Sequence, residues 1–214
     1  SSQTLHAAFE AQVLRPPVAT ALIFEDQNFT YAEVDARANA IAARLRSMGV
    51  QPGAHVGVHI RRSAELVFAA LGVLKAGAAY VPLDPAYPAD RIAHYIRDSQ
   101  AQVIVTQAAL TASLPASDAK VLEVEHVADA VAEAVDSGAT GSDLAYLIYT
   151  SGSTGPPKGG MVTHAKVTNF FAGMDQCIPH HPGDAWLAVT SLSFDISVLE
   201  LFWTLSRGLK LVLS

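Results

Sequence analysis

The chain has 214 residues, half of them hydrophobic and 16% charged, with a formal net charge of −6. That length and apolar content are enough to bury a sizeable core in one or two domains of a soluble globular protein. The acidic balance, without a basic run or interleaved aromatic and basic residues, excludes the concentrated positive face that nucleic acid requires.

In chain order, the opening SSQTLHAAFEAQ carries neither a basic segment nor an apolar stretch, so no secretory signal is expected there. From Thr30 to Met48 apolar residues fall on one helical face (Val34, Ala38, Ile41, Ala42, Leu45, Met48), Thr30 and Glu33 form a capping box, and Gly49 stops the helix. His55 to Ile60 reads as a strand, Ala64 to Lys75 as a helix, Ala79 to Pro82 as a strand, Ala89 to Asp98 as a helix and Val103 to Thr106 as a strand. The longest apolar run, Leu66 to Leu74, is too short to cross a bilayer and closes on Lys75, so no membrane span is expected and the cytoplasm is the expected compartment. Residues Ala108 to Ser142 read as an irregular surface bridge around the short strand-like Val121 to Val124. The alternation then resumes: Leu144 to Tyr149 as strand, Met161 to Thr163 as strand, His164 to Met174 as helix, Ala185 to Thr190 as strand, Ser197 to Leu205 as helix and Leu209 to Leu213 as strand. Strands separated by helices of this length predict right-handed crossovers and an α/β fold, layered α/β/α, with a mainly parallel sheet flanked by helices. Cys177 is the single cysteine; it excludes an internal disulfide, cannot build a thiolate metal cluster and is read as structural. The pair His180 and His181 lacks the further ligands a metal site needs.

The most informative run is Tyr149-Thr150-Ser151-Gly152-Ser153-Thr154-Gly155-Pro156-Pro157-Lys158-Gly159. Small residues let backbone N–H groups converge on anionic oxygens, hydroxyls add donors and a lysine adds mobile positive charge, which together suit the polyphosphate of ATP. The run is not a Walker loop, because Lys158 follows two prolines and precedes glycine rather than opening a helix. A dinucleotide fingerprint is absent from the chain.

LAYLIYTSGSTGPPKG resembles the phosphate-loop signature of adenylate-forming enzymes, in particular the amino-acid adenylation domains of nonribosomal peptide synthetases. FTYAEVDARANAIAARLRSMGV resembles the first core motif of those domains, LKAGAAYVPLDPAYPADRI the second and SFDIS the fourth, in family order across essentially the whole chain. The resemblance implies that Thr150, Ser151, Ser153 and Thr154 hydrogen-bond the β- and γ-phosphates of ATP, that Gly152 and Gly155 permit the loop's fold, and that Lys158 compensates charge. It implies that Asp195 holds the α-ammonium group of an amino-acid substrate, and that Ile196 and Leu199 line the side-chain pocket, favouring a small or aliphatic amino acid. Asp195 also reads as the N-cap of the following helix, a role that can coexist with the first, and Ile196 and Leu199 read equally as ordinary core residues. His164, where the family often has histidine, is read as a packing or loop-bracing residue because a carboxylate substrate needs no general base. Gly160 stands where relatives more often carry an aliphatic residue.

The implied cofactors are ATP and Mg²⁺, with the magnesium ligand outside these residues. The implied partners are the amino acid, a carrier-protein phosphopantetheine thiol, and the rest of the adenylation domain or a domain inserted in it. Residues 1–142 are expected to form a first α/β part and 143–214 the phosphate loop with the start of the substrate pocket, an incomplete N-terminal subdomain with the C-terminal subdomain absent. No catalytic residue and no metal ligand is assigned within it, and the 214 residues alone are expected to be inactive. Two other readings stand beside this one: an acyl- or aryl-CoA ligase of the same superfamily, and a noncatalytic scaffold half of an interrupted domain.

Overall fold

A computed structural model describes residues 3–150, 158–193 and 196–214, with the backbone alone at 158. Helix α1 (Leu5–Val13) comes first, followed by the antiparallel strands β1 (Thr20–Phe24) and β2 (Gln27–Thr30). None of the three was expected. They are short, and β1 and β2 are only partly buried, so neither a 3.6 nor a twofold period stands out.

Helix α2 (Tyr31–Ser47) begins with the expected capping box: the Thr30 hydroxyl accepts the Glu33 N–H at 3.1 Å while the Glu33 carboxylate accepts the Thr30 N–H at 3.1 Å. Gly49, at φ 96°, supplies the left-handed turn that ends it. Strand β3 (His55–His59), helix α3 (Ala64–Lys75), β4 (Ala79–Pro82), α4 (Ala89–Ser99) and β5 (Val103–Thr106) follow as expected to within a residue. Beyond them, β6 (Lys120–Glu123) converts part of the expected surface bridge into an edge strand on β5.

The chain forms two sheets. One has six strands in the order β6-β5-β3-β4-β7-β8, parallel except for the last pair, where β7 (Leu144–Thr150) and β8 (Lys158–Thr163) make an antiparallel hairpin. The other has four, β2-β1-β10-β9, with β10 (Lys210–Leu213) parallel to both β1 and β9 (Ala185–Ala188).

Helix α3 is buried on nearly every side, as an apolar helix between layers must be. It touches β3 and β4 of one sheet and β1 of the other, and it packs on α2, where Gly72 is required: a Cβ there would stand 2.6 Å from Ile41 Cγ2. The main core lies around these two helices, and a second cluster under α4 covers the opposite face of the six-stranded sheet with Leu83, Ile92, Tyr95, Ile104, Leu147 and Tyr149. The order is therefore sheet, helices, sheet, helix, an α/β layering with mainly parallel strands.

Helix α5 (His164–Cys177) and a last helix, residues 196–206, complete the fold. The last helix is interrupted by a π-helical segment, Leu199–Trp203. Cys177, read as structural, is exposed at the end of α5. Among the described residues no helix is long and apolar enough to cross a membrane, and no three metal-ligating side chains come together.

Candidate active site

Strands β3, β4 and β7 run parallel, so their C-terminal ends share one edge of the sheet. That edge of an open parallel sheet is where ligands of such folds are bound. Thr150 ends β7, exposed, and pairs with the backbone of Lys158 at the start of β8, so both ends of the run lie at this edge. Ser151, Gly152, Ser153, Thr154 and Gly155 lie outside the described residues, as does the Lys158 side chain.

The root of the hairpin is braced. The Tyr149 hydroxyl donates to Asp98 at the end of α4, and its ring stacks on Tyr95 with centroids 4.3 Å apart. Burial, reinforced by the Asp98 carboxylate, pushes the Tyr149 hydroxyl well above its usual pKa, so it stays a donor. Arg91 lies 3.9 Å over the Tyr87 ring and donates to the Tyr95 hydroxyl, extending the brace. Opposite Tyr149, Gly159 leaves room for these side chains: a Cβ there would meet Leu147 Cδ1 at 2.5 Å and Tyr149 Cζ at 3.2 Å.

A second segment reaches the site from β9. Residues 189–193 connect it toward the last helix, with Phe194 and Asp195 outside the described residues. Glu200, buried in the π-helical segment, accepts hydrogen bonds from the Trp186 Nε1–H (3.1 Å), the Val189 N–H (3.3 Å), the Thr190 N–H (2.8 Å) and the Thr190 hydroxyl. Burial alone pushes its carboxyl up, but the bonds from Thr190, Trp186 and Val189 outweigh that and hold it below the usual carboxylate range. From the other side Arg62 donates to the carbonyls of Ala188, Thr190 (2.6 Å) and Ser214 (2.9 Å). Neither Arg62 nor Glu200 was singled out from sequence; the visible signal was an acid within the otherwise apolar SVLELFW.

Between the ends of β3 and β4 and this segment lies a cleft of about 590 Å³ lined by Arg61, Leu66, Asp84, Leu110, Ser191 and Ser193. A smaller apolar cavity of about 300 Å³ lies among Tyr146, Val162, Val167, Phe170, Ile196 and Val198, with Lys166 at its edge. Ile196, 47% exposed, thus faces the hairpin, whereas Leu199 is buried in the main core.

His164 is buried, and its Nδ1 accepts the Leu5 N–H at 3.0 Å. Burial lowers its pKa to about 4, so it is neutral and braces α1 against α5.

A family model described as "AMP-binding enzyme" matches residues 9–214. One of the linear gramicidin synthase proteins of Brevibacillus parabrevis is 47% identical over 98% of this chain, and bacitracin synthase 3 of Bacillus licheniformis 42% over 99%; the chain spans only 3% of either protein. The crystal structure of the nonribosomal peptide synthetase FmoA3 superposes with a TM-score of 0.91 at 33% identity, covering all of this chain and 23% of that one. Its form with α-methyl-L-serine-AMP bound superposes at 0.92 and 32%, covering 99% and 24%. The sheet edge, the hairpin and these likenesses agree: the chain belongs to the AMP-binding enzyme family, as adenylation-domain sequence of the nonribosomal peptide synthetase type.

Proposed function

We propose that this chain supplies the triphosphate-binding loop and the amine anchor of an ATP-dependent amino-acid adenylation domain, within a cytoplasmic synthetase that passes the aminoacyl group to a carrier-protein phosphopantetheine thiol. The observation that carries the reading is the β7–β8 hairpin, which brings both ends of the Ser/Thr/Gly run to the C-terminal edge of the sheet on a root braced by Tyr149, Tyr95 and Asp98. The residues fit a polyphosphate, with hydroxyl donors concentrated between two anchored strands and a lysine at the end of the run.

In the reaction a carboxylate oxygen of the amino acid bonds to the α-phosphorus of ATP, and the bond from that phosphorus to the bridging oxygen breaks, releasing pyrophosphate. Two anions must be held together and accumulating negative charge offset. Thr150, Ser151, Ser153 and Thr154 donate to the β- and γ-phosphates, Gly152 and Gly155 let the loop close around them, and Lys158 compensates charge. Magnesium, when bound with ATP, offsets further charge on the leaving pyrophosphate, its ligands lying outside these residues. Asp195 accepts the α-ammonium group, and Ile196, bordering an apolar cavity, favours a small aliphatic side chain.

ATP–pyrophosphate exchange by the full-length protein, run with a panel of amino acids, tests this. Exchange that depends on a small aliphatic amino acid, and is lost in the isolated 214 residues, is the expected result. Exchange that depends on no amino acid, from folded protein, removes the assignment.

A further inference from the structure

Residues 188–190 sit between two charged side chains that read the same stretch of backbone from opposite sides. The Glu200 carboxylate takes the N–H groups of Val189 and Thr190, and the Arg62 guanidinium takes the C=O groups of Ala188 and Thr190. Helix α3 begins two residues after Arg62, with Ser63 at its N-cap, so Arg62 is tied to the start of the buried central helix. Glu200 belongs to the last helix, in the π-helical segment that a regular α-helix would not contain. π-bulges are uncommon and concentrate at functional sites. The short stretch is therefore fixed relative to both a central helix and the helix that follows it. The Thr190 hydroxyl also donates to Glu200, and the Ser191 hydroxyl just beyond donates to Asp84, two residues past β4.

Charge-assisted bonds of this kind are the stronger ones, and two opposite charges on one backbone stretch fix its position and its rotation together. A surface turn needs neither, since water satisfies such groups without cost. The segment so held leads, within five residues of Thr190, into the acid that the proposed function assigns to the substrate amine.

We infer that Arg62 and Glu200 are positioning residues for amino-acid binding: together they clamp the backbone of residues 188–190 and so set where the following segment meets the substrate. The inference rests on the proposed function for the identity of the substrate, while the clamp is a property of the described residues. The described hydrogen bonds of both side chains are made to the protein itself.

The test uses the full-length protein with Arg62→Lys, Arg62→Ala, Glu200→Gln and the milder Thr190→Val, which removes one donor to Glu200 and leaves the backbone bonds. ATP–pyrophosphate exchange gives KM for the amino acid and for ATP separately, and thermal unfolding gives folded fraction and Tm. A positioning role predicts that Arg62→Ala and Glu200→Gln raise the amino-acid KM by about tenfold or more with ATP KM unchanged, since small misplacements of bound groups are costly. Arg62→Lys should recover part of the loss, and Thr190→Val should show a smaller rise in the same constant at near-normal Tm. A fall in Tm and active fraction with both KM values unchanged, in Thr190→Val as in the stronger variants, overturns the inference. Asp195→Asn serves as the control: if it alone leaves the amino-acid KM unchanged, the amine-anchor reading fails while the clamp stands, and if it alone raises that KM, the clamp fails while the anchor stands.

Discussion

At the scale of single residues, the two glycines that follow Lys158 in β8 have opposite requirements. Gly159 is needed because a methyl group would drive into Leu147 and Tyr149, whereas a Cβ at Gly160 would have only an ordinary contact, 3.5 Å from the Ile148 carbonyl oxygen. Gly159→Ala should therefore destabilise the complete adenylation domain by about 1–3 kcal/mol, the usual cost of overpacking. Gly160→Val, on the exposed edge strand, should stabilise it by up to about 1 kcal/mol, the span of β-propensity. Urea midpoints at unchanged m-value would distinguish the two, and equal losses would refute the contrast. Tyr149→Phe keeps the ring stacked on Tyr95 but removes the bond to Asp98, a loss of about 1 kcal/mol by the same measurement.

Between elements, the polar contacts inside the core do the joining. Lys75 at the end of α3 is 2% exposed and meets Glu10 of α1 and Asp35 of α2, each at 2.7 Å. Lys75→Ala leaves those carboxylates facing each other without a cation, and the expected cost is about 3 kcal/mol, the low end for a broken buried pair because both partners keep some contact with water. A Tm unchanged in that variant would contradict this. Helices α1 and α5 meet through His6 and His164, their rings edge to face at 5.5 Å. Burial first, then the neighbouring His164 and Lys75, lowers the pKa of His6 to about 3, and burial lowers that of His164 to about 4. In the unfolded chain both take up a proton near pH 6.5, so between that pH and the folded values the unfolded state binds more protons. Stability is therefore complete above pH 6.5 and is lost as pH falls, by about 2 kcal/mol per histidine at pH 5. Denaturant titrations at pH 7 and pH 5 should show that slope in the native domain and half of it in His6→Asn or His164→Asn, and equal slopes in all three would refute it.

For the molecule as a whole, the central layers were legible because their signals are strong. The capping box of α2, the apolar α3 and the β-branched run of β5 each favour one local structure, and the alternation of strands and helices favours parallel pairing. The four-stranded sheet was half hidden: β1 and β2 lack a clean period, and their place depends on β10, contributed from nearly two hundred residues away. At the site, the hydroxyl and glycine run suggested a polyphosphate by its chemistry, and that reading remains the proposal. Arg62 and Glu200 did not stand out, because they act on backbone groups of a segment that only the folded chain brings beside them. The account as a whole requires the tip of the β7–β8 hairpin to hold the nucleotide's tail. Its most direct test is a crystal structure of the full-length protein with a non-hydrolysable ATP analogue. The β- and γ-phosphates are predicted within hydrogen-bond distance of residues 150–158, and a triphosphate seated at another part of the molecule, with that hairpin empty, would contradict the account.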